Sequence, residues 1–127
     1  MKSMRTPLGR VHGLGSARAG TEVFWHQRLT AIANIPLIIA GVIIVISLVG
    51  RNHAAAAQIL GSPLIAIVML LFILSVTYHM RIGMQVIIED YVHEEKSKLA
   101  LIVLNTFYAI GIALASAFAI LKLAFGV

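Results

Sequence analysis

The chain has 127 residues, of which 60% are hydrophobic and 12% charged, and its mean hydropathy is +0.96. A soluble domain of this length has too much surface for its volume to hide so much apolar side chain, so composition excludes a soluble globule and points to an integral membrane protein. The net charge of +5 does not call for nucleic acid, because most basic residues flank apolar runs and read as orientation signals. The absence of cysteine excludes disulfides, thiolate-bound clusters and covalently attached c-type haem in this chain.

In chain order, residues 1–21 form a basic, glycine-rich tail with Lys2, Arg5, Arg10 and Arg18 among glycines at 9, 13, 15 and 20. Glycine breaks it too often for an amphipathic transit peptide, so it is expected to be irregular and to lie near a membrane surface or a partner. It is also not expected to be a signal peptide, since the apolar run that follows is long and lacks a small-residue cleavage pattern. Residues 22–127 then carry three apolar runs, at about 29–49, 63–88 and 99–125, each near the ~20 residues that span a bilayer as a helix. Pro36 predicts a kink within the first run. The connection GRNHAAAAQILGSP (50–63) is punctuated by Gly50, Gly61 and Pro63, with Pro63 suited to a first helical turn, where no intrahelical donor is lost. The expected fold is all-α: a three-helix transmembrane bundle with no internal repeat.

Basic residues fix the expected orientation. Seven (Lys2, Arg5, Arg10, Arg18, Arg28, Lys96 and Lys98) fall on one side, two (Arg51 and Lys122) on the other, and Arg81 lies within the second run. That asymmetry predicts a cytoplasmic N-terminus and an external C-terminus. Phe24, Trp25 and Tyr91 then fall at the cytoplasmic interface, where amphipathic rings are favoured.

The second run carries the chemistry. An ionisable ring inside a bilayer segment is costly, so His79 is by default a functional candidate. Asp90, eleven positions later, has turned three full turns at ~100° per residue and lies about 16 Å nearer the surface on the same line. Phe72, Ser75, His79, Gly83, Val86 and Asp90 thus share one stripe. A histidine with a glycine one turn away suits axial ligation of haem iron by a neutral imidazole. It equally suits a histidine hydrogen-bonded to a neighbouring helix, with Gly83 as a small-residue packing contact, and the residues alone leave both open. A six-coordinate haem here would need its second axial ligand from another chain. His12, His53 and His93 fall in tail or loops, and His26 sits beside Trp25 and Arg28, where a headgroup or acidic ligand is within reach. Arg81 faces roughly opposite His79, which fits snorkelling or pairing with a partner.

Two segments carry a resemblance. HMRIGMQVIIEDYVH (79–93) is similar to the H-x-x-x-G-x-x-x-x-x-x-D-Y signature of the smaller hydrophobic membrane anchor of succinate dehydrogenase (respiratory complex II). GLGSARAGTEVFWHQRLTAIANIPL (13–37) resembles the segment leading into the first helix in the alphaproteobacterial and mitochondria-like branch. The resemblance implies a chain forming part of a haem-containing heterodimeric anchor in the bacterial inner membrane, with its C-terminus periplasmic. It implies His79 as one axial ligand of a haem b shared with a companion anchor, Tyr91 and Asp90 at a ubiquinone site, and Arg28, with His12 more loosely, at the haem propionates. The partners it implies are the companion cytochrome b anchor, the iron–sulfur subunit of the complex, plus its flavoprotein subunit. Succinate would be oxidised by the flavoprotein and not by this chain. A fumarate reductase anchor and a haem-free structural anchor are the alternatives.

Overall fold

The structure is a computed structural model that describes residues 4–13 and 20–127, with the His12 side chain outside the described set. The order of elements is α1 (Pro7–His12), α2 (Gly20–Leu48), α3 (His53–Gly61), α4 (Pro63–Tyr91) and α5 (Glu95–Ala124). Three of these helices, α2, α4 and α5, are long and apolar enough to cross a membrane.

Local signals explain each boundary. The tail, expected to be irregular, contains the short α1 because Thr6 caps it, its Oγ1 accepting the Gly9 N–H at 3.1 Å, with proline in the first turn and Gly13 closing it at φ 66°. Serine, threonine or asparagine before a helix and a left-handed glycine after it are the usual terminal signals. The first spanning helix begins at Gly20, well before the apolar run, with Glu22 in its first turn where the macrodipole favours an anion. Hydropathy marks only the lipid-facing part of such a helix. α2 continues through Pro36 to Leu48.

The connection expected to be a plain link is mostly α3. Asn52 caps it through Oδ1 to the Ala55 N–H at 2.9 Å, and the four alanines that follow are the strongest helix formers. Ser62 then ends α3 and precedes α4, where Pro63 occupies the first turn as expected. At the other end of α4 only residues 92–94 separate it from α5.

α4 is the central helix, with α2 on one face and α5 on another, while α3 packs on α5 and the start of α4. The seams use small residues, the usual means of helix association where lipid is as apolar as the side chains. Ala66 and Ala109 are buried. A Cβ on Gly41 would sit 3.5 Å from the Phe72 ring, and one on Gly61 would sit 2.6 Å from the Leu123 carbonyl oxygen. Buried polar groups are Asn34, Thr77 and Asn105, and Asn105 Nδ2 donates to the Arg81 carbonyl at 3.0 Å, pinning α5 to α4. Most large apolar side chains instead point outward, as lipid or a partner helix permits.

Candidate cofactor-binding groove

The stripe on α4 is the seam against α2. Phe72 meets Gly41. One turn on, Ser75 Oγ donates to Asn34 Oδ1 at 2.7 Å. Next, His79 Nδ1 lies 3.0 Å from Thr30 Oγ1, and then Gly83 receives Gln27, whose Nε2 is 3.3 Å from where a Cβ would be. From Asn34–Ser75 through Thr30–His79 to Gln27–Gly83 the contacts advance by one helical turn on each member of an antiparallel pair, so polar partners from α2 meet the α4 stripe in register. Gly83 therefore serves the Gln27 packing contact within this chain.

The Thr30 contact fixes how His79 is presented. A threonine hydroxyl has one proton, and Thr30 Oγ1 lies 2.8 Å from the His26 carbonyl and 3.1 Å from the Gln27 carbonyl. That proton is used in back-bonding to the preceding turn, a regular habit of threonine in helices. The Thr30 oxygen is then placed to accept from the Nδ1–H tautomer of His79. That tautomer carries its lone pair on Nε2, which has no protein partner among the described residues.

His79 lines an open groove of about 480 Å³ together with Val23, Phe24, Gln27, Arg28, Ala31, Ile82 and Val86. The Arg28 guanidinium lies over the Phe24 ring, 4.4 Å from its centroid, a cation–π contact between residues one turn apart. Phe24 is in turn edge-on to Trp25 at 6.2 Å. Gln27 Oε1 is buried there without a hydrogen-bond partner among the described residues. One groove thus combines an imidazole nitrogen able to ligate a metal, a guanidinium able to pair an anion, and an unsatisfied amide oxygen, on otherwise apolar walls.

The remaining expected residues are placed differently. Asp90 and Tyr91 end α4, both exposed, Tyr91 at 78%. Neither lines the His79 groove nor the larger cavity of about 590 Å³ beside it, which is bounded by Gly20, Val23, Gln85, Val86, Glu89, Lys98 and Ile102. The His12 side chain lies outside the described residues. His26 is committed to the protein, its Nδ1 2.7 Å from the Tyr78 hydroxyl. Among the described residues no three of His, Asp or Glu cluster as a polydentate metal site.

The sequence profile described as "Succinate dehydrogenase/Fumarate reductase transmembrane subunit" matches residues 2–113, nearly the whole chain. The chain belongs to this transmembrane-subunit family. It is similar to the succinate dehydrogenase hydrophobic membrane anchor subunit of Paracoccus denitrificans, 26% identical over 121 residues, which is 95% of this chain and 93% of that one. It is similar also to the protein of the same name in Rickettsia bellii, 29% identical over 109 residues, covering 84% of this chain and 85% of that one. No solved structure matches significantly.

As a member of this family, the chain has features that periodicity does not reveal. Thr30 stands in the QRLTAIA segment, yet its contact with His79 depends on the α2–α4 register. Gln27, Asn34 and Tyr78 are likewise invisible to a search for ligand spacing. The signal that could find them is their polarity: a Gln, Thr or Asn on a run otherwise apolar marks a helix contact more often than a lipid face.

Proposed function

We propose that this chain is the hydrophobic membrane anchor of a succinate:ubiquinone oxidoreductase, that His79 supplies one axial ligand of a haem b, and that Arg28 pairs a haem propionate. The observation that carries this reading is the common groove, in which His79 keeps Nε2 free while Arg28 stands at the rim. The residues fit the group. A neutral imidazole bound through one nitrogen, with the other hydrogen-bonded, is the normal form of a ligating histidine. A guanidinium held by an aromatic ring suits a carboxylate bidentately, apolar walls suit a macrocycle, and the Gln27 amide has hydrogen-bonding capacity to spare. The groove's open side leaves the opposite wall and the second axial ligand to a companion cytochrome b anchor.

When bound, haem b would supply a one-electron carrier within the bundle. The chain's own residues bind and orient. His79 would hold the iron, and Arg28 would pair a propionate that is otherwise an uncompensated anion at the apolar boundary. Tyr91 donates its hydroxyl to a ubiquinone carbonyl, and Asp90 organises water that delivers protons as the quinone takes up two electrons and two protons. Two acidic side chains, Glu89 and Asp90, sit in the last turn of α4 with no basic residue there, where the macrodipole disfavours anions. Helix stability does not account for Asp90, which supports a role at a site. The flavoprotein and iron–sulfur partners oxidise succinate and deliver electrons, and they contact the end of the bundle formed by the start of α2 and residues 92–94. The N-terminus is then cytoplasmic and the C-terminus periplasmic in a bacterial inner membrane.

The test is the absorption spectrum of the purified complex, oxidised and dithionite-reduced. A b-type α-band that disappears in His79→Ala is expected. A complex without that band, or a variant that retains it unchanged, overturns the assignment.

A further inference from the structure

We infer that Thr30 is a positioning residue that sets the redox poise of the haem through His79, an inference that rests on the ligand role proposed for His79. The geometry is a relay of hydrogen bonds from His79 through the Thr30 hydroxyl to the preceding turn of α2. Thr30 Oγ1 sits 2.8 Å from the His26 carbonyl and 3.1 Å from the Gln27 carbonyl, and 3.0 Å from His79 Nδ1. With its only proton directed to the preceding turn of α2, the hydroxyl oxygen is positioned to accept from Nδ1–H. Three consequences follow. The imidazole is locked in the tautomer whose Nε2 carries the lone pair. The ring plane is fixed, because its far edge is tied to a different helix from the one that bears it. The Nδ1–H···O bond raises the electron density of the ring, making it a more basic ligand. A more basic axial ligand stabilises ferric over ferrous iron, so Thr30 holds the potential down.

The β-branched side chain matters as well. Threonine has restricted χ1 freedom in a helix and reaches the i−3 and i−4 carbonyls from a preferred rotamer. Thr30 is only half-buried, yet its hydroxyl is tied both to its own helix and, through His79, across the α2–α4 seam. Its neighbours on that seam, Asn34 with Ser75 and Gln27 with Gly83, lie one turn to either side, so the register that brings Thr30 to His79 is held on both flanks.

The experiment uses the whole complex with Thr30→Val, which keeps shape and removes the hydroxyl, and Thr30→Ser, which keeps the hydroxyl. Haem content, the ferric low-spin EPR signal and the one-electron midpoint potential are measured for each. In Thr30→Val the ferric-to-ferrous equilibrium is expected to move toward ferrous by about tenfold, which is 59 mV upward for a one-electron couple, with a shifted EPR signal. Thr30→Ser is expected to return both readouts to the native values. Loss of haem in Thr30→Val with retention in Thr30→Ser supports the inference equally, because the hydroxyl is then what holds the ligand. A native potential and EPR signal in Thr30→Val overturn it, as does equal haem loss in both variants. His79→Ala separates the two levels: if it loses the haem while Thr30→Val is native, the ligand assignment stands and the Thr30 role falls. If His79→Ala keeps the haem, both fall.

Discussion

At the scale of single residues, the chemistry sits on side chains whose types a sequence can weigh but whose partners it cannot name. His79 stands out because an ionisable ring in a span is expensive, and Arg28 because a guanidinium follows two aromatic rings at a helix start. Their shared groove depends on how α2 packs on α4, which no local pattern encodes. Arg28 gives a direct prediction. Removing one charge-assisted hydrogen-bonding partner costs about 1.5–3 kcal/mol, so Arg28→Gln should weaken haem retention by roughly ten- to a hundredfold in a detergent wash. Arg28→Lys should recover only part, because an ammonium cannot reproduce the planar fork; full retention in both variants would remove Arg28 from the site. Tyr91 is exposed and has no partner among the described residues, so Tyr91→Phe should leave folding untouched. It should cost one neutral hydrogen bond, about 0.5–1.5 kcal/mol, read as a severalfold fall in kcat/KM for quinone. Succinate oxidation with an artificial acceptor should be unchanged. Equal activity with quinone would show that the phenol does not touch it.

At the scale of elements, three spanning helices are legible from hydropathy, and their true ends are not. α2 starts at Gly20 and α4 runs to Tyr91, because backbone hydrogen bonding carries a helix past the lipid boundary where the apolar pattern stops. α3 escapes a search for periodicity since four alanines carry no amphipathic pattern, and its readable signal is the Asn52 cap. The α4 stripe is one face, as helical geometry predicts, and that face is a helix seam. The build of the seams is itself testable. In the isolated chain, Gly61→Ala places a Cβ 2.6 Å from the Leu123 carbonyl, so backbone must move; a loss of about 1–3 kcal/mol is expected for such overpacking. Gly111 on α5 has open space around a would-be Cβ, and Gly111→Ala should be neutral or stabilising by up to about 1 kcal/mol. Thermal unfolding in detergent compares the two, and equal effects would contradict the α3–α5 contact.

At the scale of the whole molecule, the decisive feature is incompleteness. α4 is flanked by α2 and α5, yet the groove that holds His79 and Arg28 opens outward, and large apolar side chains such as Leu29, Ile32, Ile35, Leu104, Phe107 and Leu114 are exposed. Lipid can cover such a surface, but it cannot supply a second axial nitrogen to an iron held by His79. The chain alone contains no second histidine on that groove among the described residues. Produced without its companion anchor, it should therefore bind haem weakly and without the spectrum of a bis-histidine low-spin centre, and co-production with the companion should restore that spectrum. A low-spin centre from this chain alone, with one haem for every two chains, would transfer the second ligand to another copy of His79 and exclude the heterodimeric anchor. The orientation is open to the same kind of decision. Seven basic residues at one end against two at the other predict that a reporter fused after Val127 is active only outside the cytoplasm. A cytoplasmic reporter would place the Tyr91 end on the wrong side for an iron–sulfur partner, and with it the whole route from succinate to quinone.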